Sequence, residues 1–306
     1  MDYYSNKTNI KPFFVFDIDG VLCTRNYDGM YDNNLLTNID KTPSECPTMI
    51  FNYYDNYDCS SYPHIFLPHL NILFDYLINK GGKIFFFSSG IEARNFYVIG
   101  QLLLIIYGRN RLLELLLDKQ FIIFSKQHLK AGCRRIGEGI NIKDLRQILE
   151  QEFLRDIRKG ATEKYKIDDI ILIEDQVTFA EHTQLPVVRA LDVEFWYASS
   201  EMHFLMNATY YLIGFFRYYF ENDNYNYLCL RQGIEKIYNE HMLHEEKITS
   251  TLPEREDWAL KKLYCKYKAP EKDDEFTKQM IADGIAHVRT TCPKAKLYVS
   301  NDGGRN

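Results

Sequence analysis

The sequence is short of positive charge, of paired cysteines and of long apolar runs, and each shortage closes off a class of protein. It carries 37 basic side chains against 42 acidic ones, a net charge of −5. A clustered Lys/Arg footprint for a phosphate backbone is missing, which disfavours a nucleic-acid binder. No stretch reaches the ~20 apolar residues that a membrane span needs, and the longest aromatic run, Tyr210 to Phe220, is interrupted by Arg217. The opening residues MDYYSNKTNIKPFF lack the basic start, apolar stretch and small-residue cleavage site of a secretory signal. The expectation is a soluble, cytoplasmic-type protein, reaching another compartment only by a route that needs no such signal.

The 7 cysteines are odd in number and never fall at C-x-x-C spacing, which points to reduced thiols. None is followed by an arginine at the spacing of a Cys-x₅-Arg phosphate loop, so a cysteine-based phosphatase mechanism is excluded. His241 and His244 lack a third metal ligand, and the set Cys46, Cys59, His64 and His69 matches no closed zinc spacing. No Gly/Pro/Ser linker marks residues 190–200.

What is present is an ordinary globular composition, 46% hydrophobic and 26% charged. Its apolar residues come in short runs that stop at polar ones. Phe13 to Phe16 ends at Asp17, Lys83 to Phe87 at Ser88, Phe121 to Phe124 at Ser125, and Ile170 to Ile173 at Glu174, with Val187-Val188 a shorter fifth. Such runs predict buried strands of a parallel sheet. Between them, apolar residues recur at helical spacing in Leu70 to Ile78, Glu92 to Tyr107, Arg111 to Leu117 and Asp144 to Lys159. Alternating strands and helices predict a three-layer α/β sheet of parallel strands joined by right-handed crossovers. Residues 23–66 are polar and rich in Tyr and Asn, an insertion of loop or small-sheet character. From residue 199 the patterning is helical throughout, over Ser199 to Phe220, Tyr225 to Lys247, Glu254 to Tyr267 and Asp273 to Val288. Its aromatic stripe reads as buried core, with a surface for a partner or a membrane as the alternative.

Ligands of open α/β sheets sit beyond the carboxyl ends of the strands. There stand Asp17-Ile18-Asp19-Gly20, then Ser88-Ser89-Gly90, then Lys143, then Glu174-Asp175. Two aspartates two residues apart repel each other unless a cation or a phosphoryl group uses them. Ser88 and the following amides suit an anion, Lys143 supplies positive charge, and Glu174 and Asp175 suit an oxygen-rich magnesium site.

These residues resemble the haloacid dehalogenase (HAD) superfamily: hhhDxDGxx at Phe14 to Leu22, hhhS at Phe85 to Ser88, Lys143, and hhhED at Ile171 to Asp175. Within it, Leu67-Pro68-His69-Leu70, Phe87-Ser88-Ser89-Gly90 and Ile142-Lys143-Asp144-Leu145 are similar to stretches of the carboxy-terminal-domain (CTD) protein phosphatases. The chain departs from that group in having Gly20-Val21 for Glu-Thr, Ser88 for Thr, and Glu174-Asp175 for Asp-Asn or Asp-Asp. In composition and layout it is also similar to HAD-type phosphotyrosine phosphatases that Legionella delivers into host cells.

The resemblance implies a HAD-type Rossmannoid parallel sheet over residues 1–198 with strand one central, a small cap insertion at 23–66 and an all-helical region at 199–306. It implies a Mg²⁺-dependent phosphomonoester hydrolase. Asp17 would be the nucleophile, forming an aspartyl-phosphate, and Asp19 the general acid and then base. Ser88, the Ser89 amide and Lys143 would hold the phosphoryl group, with Lys126 or Lys130 the alternative lysine. Mg²⁺ would be held by Asp17, Asp175 and the carbonyl of Asp19, with Glu174 behind them ordering metal-bound water or holding Lys143. A small cap leaves the cleft open to a phosphorylated protein, and the tyrosines of the insertion, Tyr53, Tyr54, Tyr57 and Tyr62, favour phosphotyrosine. Phosphoserine/threonine, a small metabolite and a silent partner-binding scaffold are the alternatives.

Overall fold

The computed structural model describes residues 13–25, 50–55, 60–131, 141–145, 147–150, 170–174, 187–189, 202–221 and 275–295. The apolar run Phe13–Phe16 forms β1, and it is flanked on both sides by parallel strands. On one side lie β5 (Lys83–Phe87) and β6 (Phe121–Phe124); on the other lie β9 (Ile170–Glu174) and β10 (Val187–Arg189). The order β10-β9-β1-β5-β6 puts strand one at the centre, as the family resemblance implies. Phe13 is in register with both Lys83 and Ile170, so the carboxyl ends of β1, β5 and β9 finish together.

Because side chains alternate along a strand, the two faces of the sheet carry separate cores. Phe14, Phe16, Ile84, Phe86, Ile171 and Ile173 face one way, and Phe13, Val15, Phe85, Phe87, Ile170 and Leu172 face the other. The first face is covered by α1 (Leu70–Asn79) and α2 (Glu92–Leu117). The break expected between Tyr107 and Arg111 falls at Gly108, whose φ of 68° and ψ of 168° interrupt α2. That left-handed value of φ is cheap for glycine alone. The second face receives Leu145 and Ile148. Of the helix expected over residues 144–159, positions 144, 145 and 147–150 lie among the described residues, and of these 147–150 are helical.

The insertion folds as a small antiparallel sheet. Here β2 (Cys23–Arg25) and β3 (Ile50–Asp55) flank β4 (Ser60–Phe66), which leads back into α1. A two-stranded ladder of β7 (Lys130–Ala131) and β8 (Asn141–Ile142) was not foreseen; it delivers the chain to Lys143.

From the C-terminal third the described elements are α3 (Met202–Glu221) and α4 (Glu275–Thr291). The aromatic stripe of α3 packs onto the sheet. Phe216 meets Phe14 edge-to-face at 5.3 Å, and Phe220 lies 6.1 Å from Phe14 and 6.0 Å from Tyr76. Such ring pairs add ~0.5–1.5 kcal/mol each beyond the area they bury. Among the described residues no helix is long and apolar enough to cross a membrane. The helices expected over 225–247 and 254–267, with His241 and His244, lie outside the described residues, as do Cys46 and Cys59.

Candidate active site

The backbone places the chemistry before any side chain does. The amide of Asp17 donates to the Ile173 carbonyl at 3.0 Å, so Asp17 still belongs to the β1–β9 ladder and its carboxylate sits where the strands end. The chain then turns sharply: the amides of Leu22 and Cys23 both donate to the Ile18 carbonyl at 3.0 Å, and Gly20 takes a φ of 78°. Only glycine meets that φ without a steric penalty. The turn lifts Asp19 to the rim, where its side chain is 29% exposed, while Asp17 stays buried.

The two aspartates have different surroundings. Asp17 Oδ1 lies 2.8 Å from Lys143 Nζ, which also donates to Glu174 Oε2 at 2.6 Å. All three side chains are buried. Burial, and after it the charge of Glu174, push the Asp17 carboxyl up to about 8 against the opposing pull of Lys143. Burial also works against the charge of Lys143, but Asp17 and Glu174 outweigh it and hold the ammonium above the ordinary lysine range. Two buried carboxylates share one buried ammonium, so the trio carries an excess negative charge and Asp17 resists ionising.

That excess is what a hard divalent cation would take up, and the donors are oxygens of the kind it prefers. The buried Asp17 carboxylate suits such an ion, and the Asp19 carbonyl is the second oxygen that the sequence resemblance implies. Asp175, the further ligand expected from the sequence, lies outside the described residues. Among the described residues no three acidic, histidine or cysteine side chains converge on a metal position.

Asp19 faces the loop after β5. Its carboxylate takes both arms of Arg94: Nη1 donates to Oδ2 at 2.8 Å and Nη2 to Oδ1. Ser88 Oγ donates to the same Oδ2 at 3.4 Å and accepts from the Gly90 amide at 3.0 Å. Asn95 steadies the loop by donating to the Gly90 carbonyl and to Ser125 Oγ, both at 3.0 Å. Ser88 is buried and Ser89 exposed. Lys126, the alternative lysine, has an exposed side chain beyond β6, and Lys143 is the lysine at Asp17.

The structure thus brings together Asp17, Asp19, Ser88, Lys143 and Glu174 at the carboxyl end of the sheet. Sequence reasoning missed Arg94 and Asn95. One signal was present: Arg94, Val98 and Leu102 follow one another at helical spacing and all are buried, so a charge heads an apolar stripe.

No protein-family model matches the chain, and no curated protein matches it. Among solved structures it is similar to an arginine-to-alanine variant of the fission yeast RNA polymerase II CTD phosphatase Fcp1 bound to beryllium fluoride. That likeness has 12% identity and a TM-score of 0.38, and covers 94% of this chain and 68% of that one. A second structure, of Fcp1 as an essential RNA polymerase II CTD phosphatase, is similar at 11% identity and a TM-score of 0.39, covering 78% of this chain and 65% of that one. The chain therefore spans about two thirds of the length of these neighbours.

Proposed function

We propose that this chain is a magnesium-dependent phosphomonoester hydrolase that works through an aspartyl-phosphate on Asp17. One observation carries the reading: two aspartates two residues apart are held by opposite partners, Asp17 by the buried Lys143–Glu174 pair and Asp19 by Arg94 and Ser88 at the rim. Such a division gives the two carboxylates different roles, and a bound cation would offset the excess charge that keeps Asp17 from ionising.

An Asp17 oxygen attacks phosphorus as the bond to the leaving oxygen breaks, and Asp19 gives that oxygen a proton. Asp19 then takes a proton from the water that releases inorganic phosphate and restores Asp17. Ser88, with the Ser89 amide, binds phosphoryl oxygens, and Lys143 offsets the charge of the intermediate. Bound magnesium would supply the positive charge that lets a carboxylate approach an anionic phosphoryl group.

The substrate class we infer is a phosphorylated protein side chain, with phosphotyrosine preferred over phosphoserine/threonine. The insertion following the first motif is a small sheet, which suits an open cleft. Its strands place Tyr53 and Tyr62 at paired register positions, where aromatic residues suit an aromatic phospho-residue.

Purified protein is expected to hydrolyse an aryl phosphate, to lose the activity with EDTA and regain it with Mg²⁺, and to lose it in Asp17→Asn. Activity surviving both chelation and Asp17→Asn would overturn the mechanism, and an inert wild type would leave a silent scaffold. A parallel screen of phosphotyrosine peptides, phosphoserine peptides and phosphorylated metabolites tests the substrate class. A metabolite cleaved orders of magnitude faster than every peptide would overturn it.

A further inference from the structure

Arg94 belongs to none of the motifs that point to a phosphatase, yet it is among the largest fully buried side chains of the protein. A guanidinium is placed away from water only against partners that repay its desolvation. Here the partners form a closed ring. Arg94 grips both oxygens of Asp19 and donates through Nη1 to Asn95 Oδ1 at 3.0 Å. Asn95 donates to the Gly90 carbonyl at 3.0 Å, the Gly90 amide donates to Ser88 Oγ at 3.0 Å, and Ser88 returns to Asp19 at 3.4 Å.

We infer that Arg94 is a positioning residue, holding the Asp19 carboxylate in register with the Ser88–Gly90 loop so that the proton-transfer group and the phosphoryl-binding loop are set as one unit. The inference rests on the phosphatase reading above. A planar two-armed grip fixes the plane of a carboxylate, which a single ammonium does not. Each gripped oxygen keeps a second lone pair, and Asp19 remains 29% exposed, so it still faces the cleft. Arg94 itself is 2% exposed, with both N–H groups of Nη1 and one of Nη2 committed. That arrangement suits holding Asp19 better than touching a substrate.

The test is steady-state kinetics on aryl phosphates whose leaving groups run from p-nitrophenol to phenol, with Mg²⁺, for the wild type, Arg94→Lys, Arg94→Met, Asp19→Asn and the Asp19→Asn/Arg94→Met double variant. A proton donor matters most for the poorest leaving group, where it is worth about 10²–10⁴-fold. Both Arg94 variants are expected to lose about 10²-fold or more in kcat on phenyl phosphate and under about 10-fold on p-nitrophenyl phosphate, with KM little changed. In the Asp19→Asn background, Arg94→Met is expected to cost nothing further.

A loss by the same factor across the series, a loss confined to KM, or additive losses in the double variant would overturn the inference, since each describes a structural or phosphate-binding arginine. The ratio of rates on two substrates does not depend on the fraction of protein folded. Should neither Arg94 variant fold, Asn95→Ala, which unties Arg94 and leaves Asp19 intact, must shift the same ratio, and a flat ratio there overturns the inference. A wild type inert on the whole series overturns the phosphatase reading together with this one. An active wild type with flat variants overturns this one alone.

Discussion

Lys143 donates to Glu174 across 2.6 Å with both side chains shut away from solvent. The same ammonium stands 2.8 Å from Asp17, so removing it leaves two carboxylates buried without their shared cation. Lys143→Met should therefore abolish turnover and cost about 3–5 kcal/mol of stability, the usual result of breaking a buried pair from one side. Lys126→Met, at an exposed side chain, should leave activity unchanged and stability within about 0.5 kcal/mol. Urea unfolding beside aryl phosphatase assays checks both. A Lys143→Met protein as stable and active as the Lys126→Met protein would show that the wrong lysine has been placed at Asp17.

Ser88 offers a milder test of the loop. Its hydroxyl accepts from the Gly90 amide and donates to Asp19. Ser88→Ala removes both bonds and leaves the half-buried Gly90 amide to find another partner. We expect a loss of about 10²-fold in kcat/KM, the range measured when one preorganised donor to a transition state is deleted. Ser88→Thr should recover most of it, because the hydroxyl is kept. Wild-type kinetics in Ser88→Ala would remove Ser88 from the phosphoryl-binding loop.

The parts of this fold legible in the sequence are those set by local pattern. Phe13–Phe16 and Ile170–Glu174 are uninterrupted apolar runs that end in acids, and an all-parallel buried sheet leaves just that trace. The break at Gly108 could be read from a glycine between two periodic stretches. The ladder of β7 and β8 could not, because two residues a side carry no period and their pairing is fixed by the surrounding chain. Arg94 was hidden for a related reason. An arginine in the first turn of a helix reads as solvated, and only the folded turn at Gly20, which lifts Asp19 toward α2, gives it a carboxylate partner. The choice of Lys143 over Lys126 likewise rests on distance, since residue type and loop position suit both.

The α3–α4 contact predicts opposite outcomes for similar substitutions. A methyl group on Gly214 would lie 1.8 Å from the Met280 carbonyl oxygen, and one on Gly284 would lie 1.9 Å from that of Tyr210, so the two backbones touch where each has no side chain. Gly100 of α2 has nothing within 4 Å of the same position. Gly→Ala inside a helix ordinarily stabilises by about 0.5–1 kcal/mol. Gly100→Ala should show that gain. Gly214→Ala and Gly284→Ala should each cost about 1–3 kcal/mol or more, because the clash is with backbone that cannot rotate away. Denaturant midpoints of the three variants decide the matter, and a stabilised Gly214→Ala would mean that α3 and α4 do not cross where the structure puts them.

A cluster at the junction of α1, α3 and α4 predicts a pH dependence. The His287 ring packs edge-on to Tyr76 at 5.4 Å, Tyr76 donates to Glu221 at 3.3 Å, and Arg217 pairs with Glu221 at 2.6 Å. Burial, and after it the charge of Arg217, lower the proton affinity of His287 below its ordinary value of 6.5. The hydrogen bond from Arg217 is the first cause that lowers Glu221 below its ordinary 4.5. Both groups therefore bind protons more readily in the unfolded chain. By linkage, acid favours unfolding: the His287 contribution is intact above about pH 6.5 and is lost as pH falls below it, while that of Glu221 follows below about pH 4.5. Both side chains are partly exposed, so the effects are modest and screened by salt. Asp17, held up to about 8 in the fold, works in the opposite direction over the same interval, so the His287 contribution is read as a difference: between pH 7.5 and 5.5 the urea midpoint of the wild type should shift downward relative to that of His287→Gln. Midpoints of the two proteins that change in parallel over that interval would show that His287 does not contribute to the acid response.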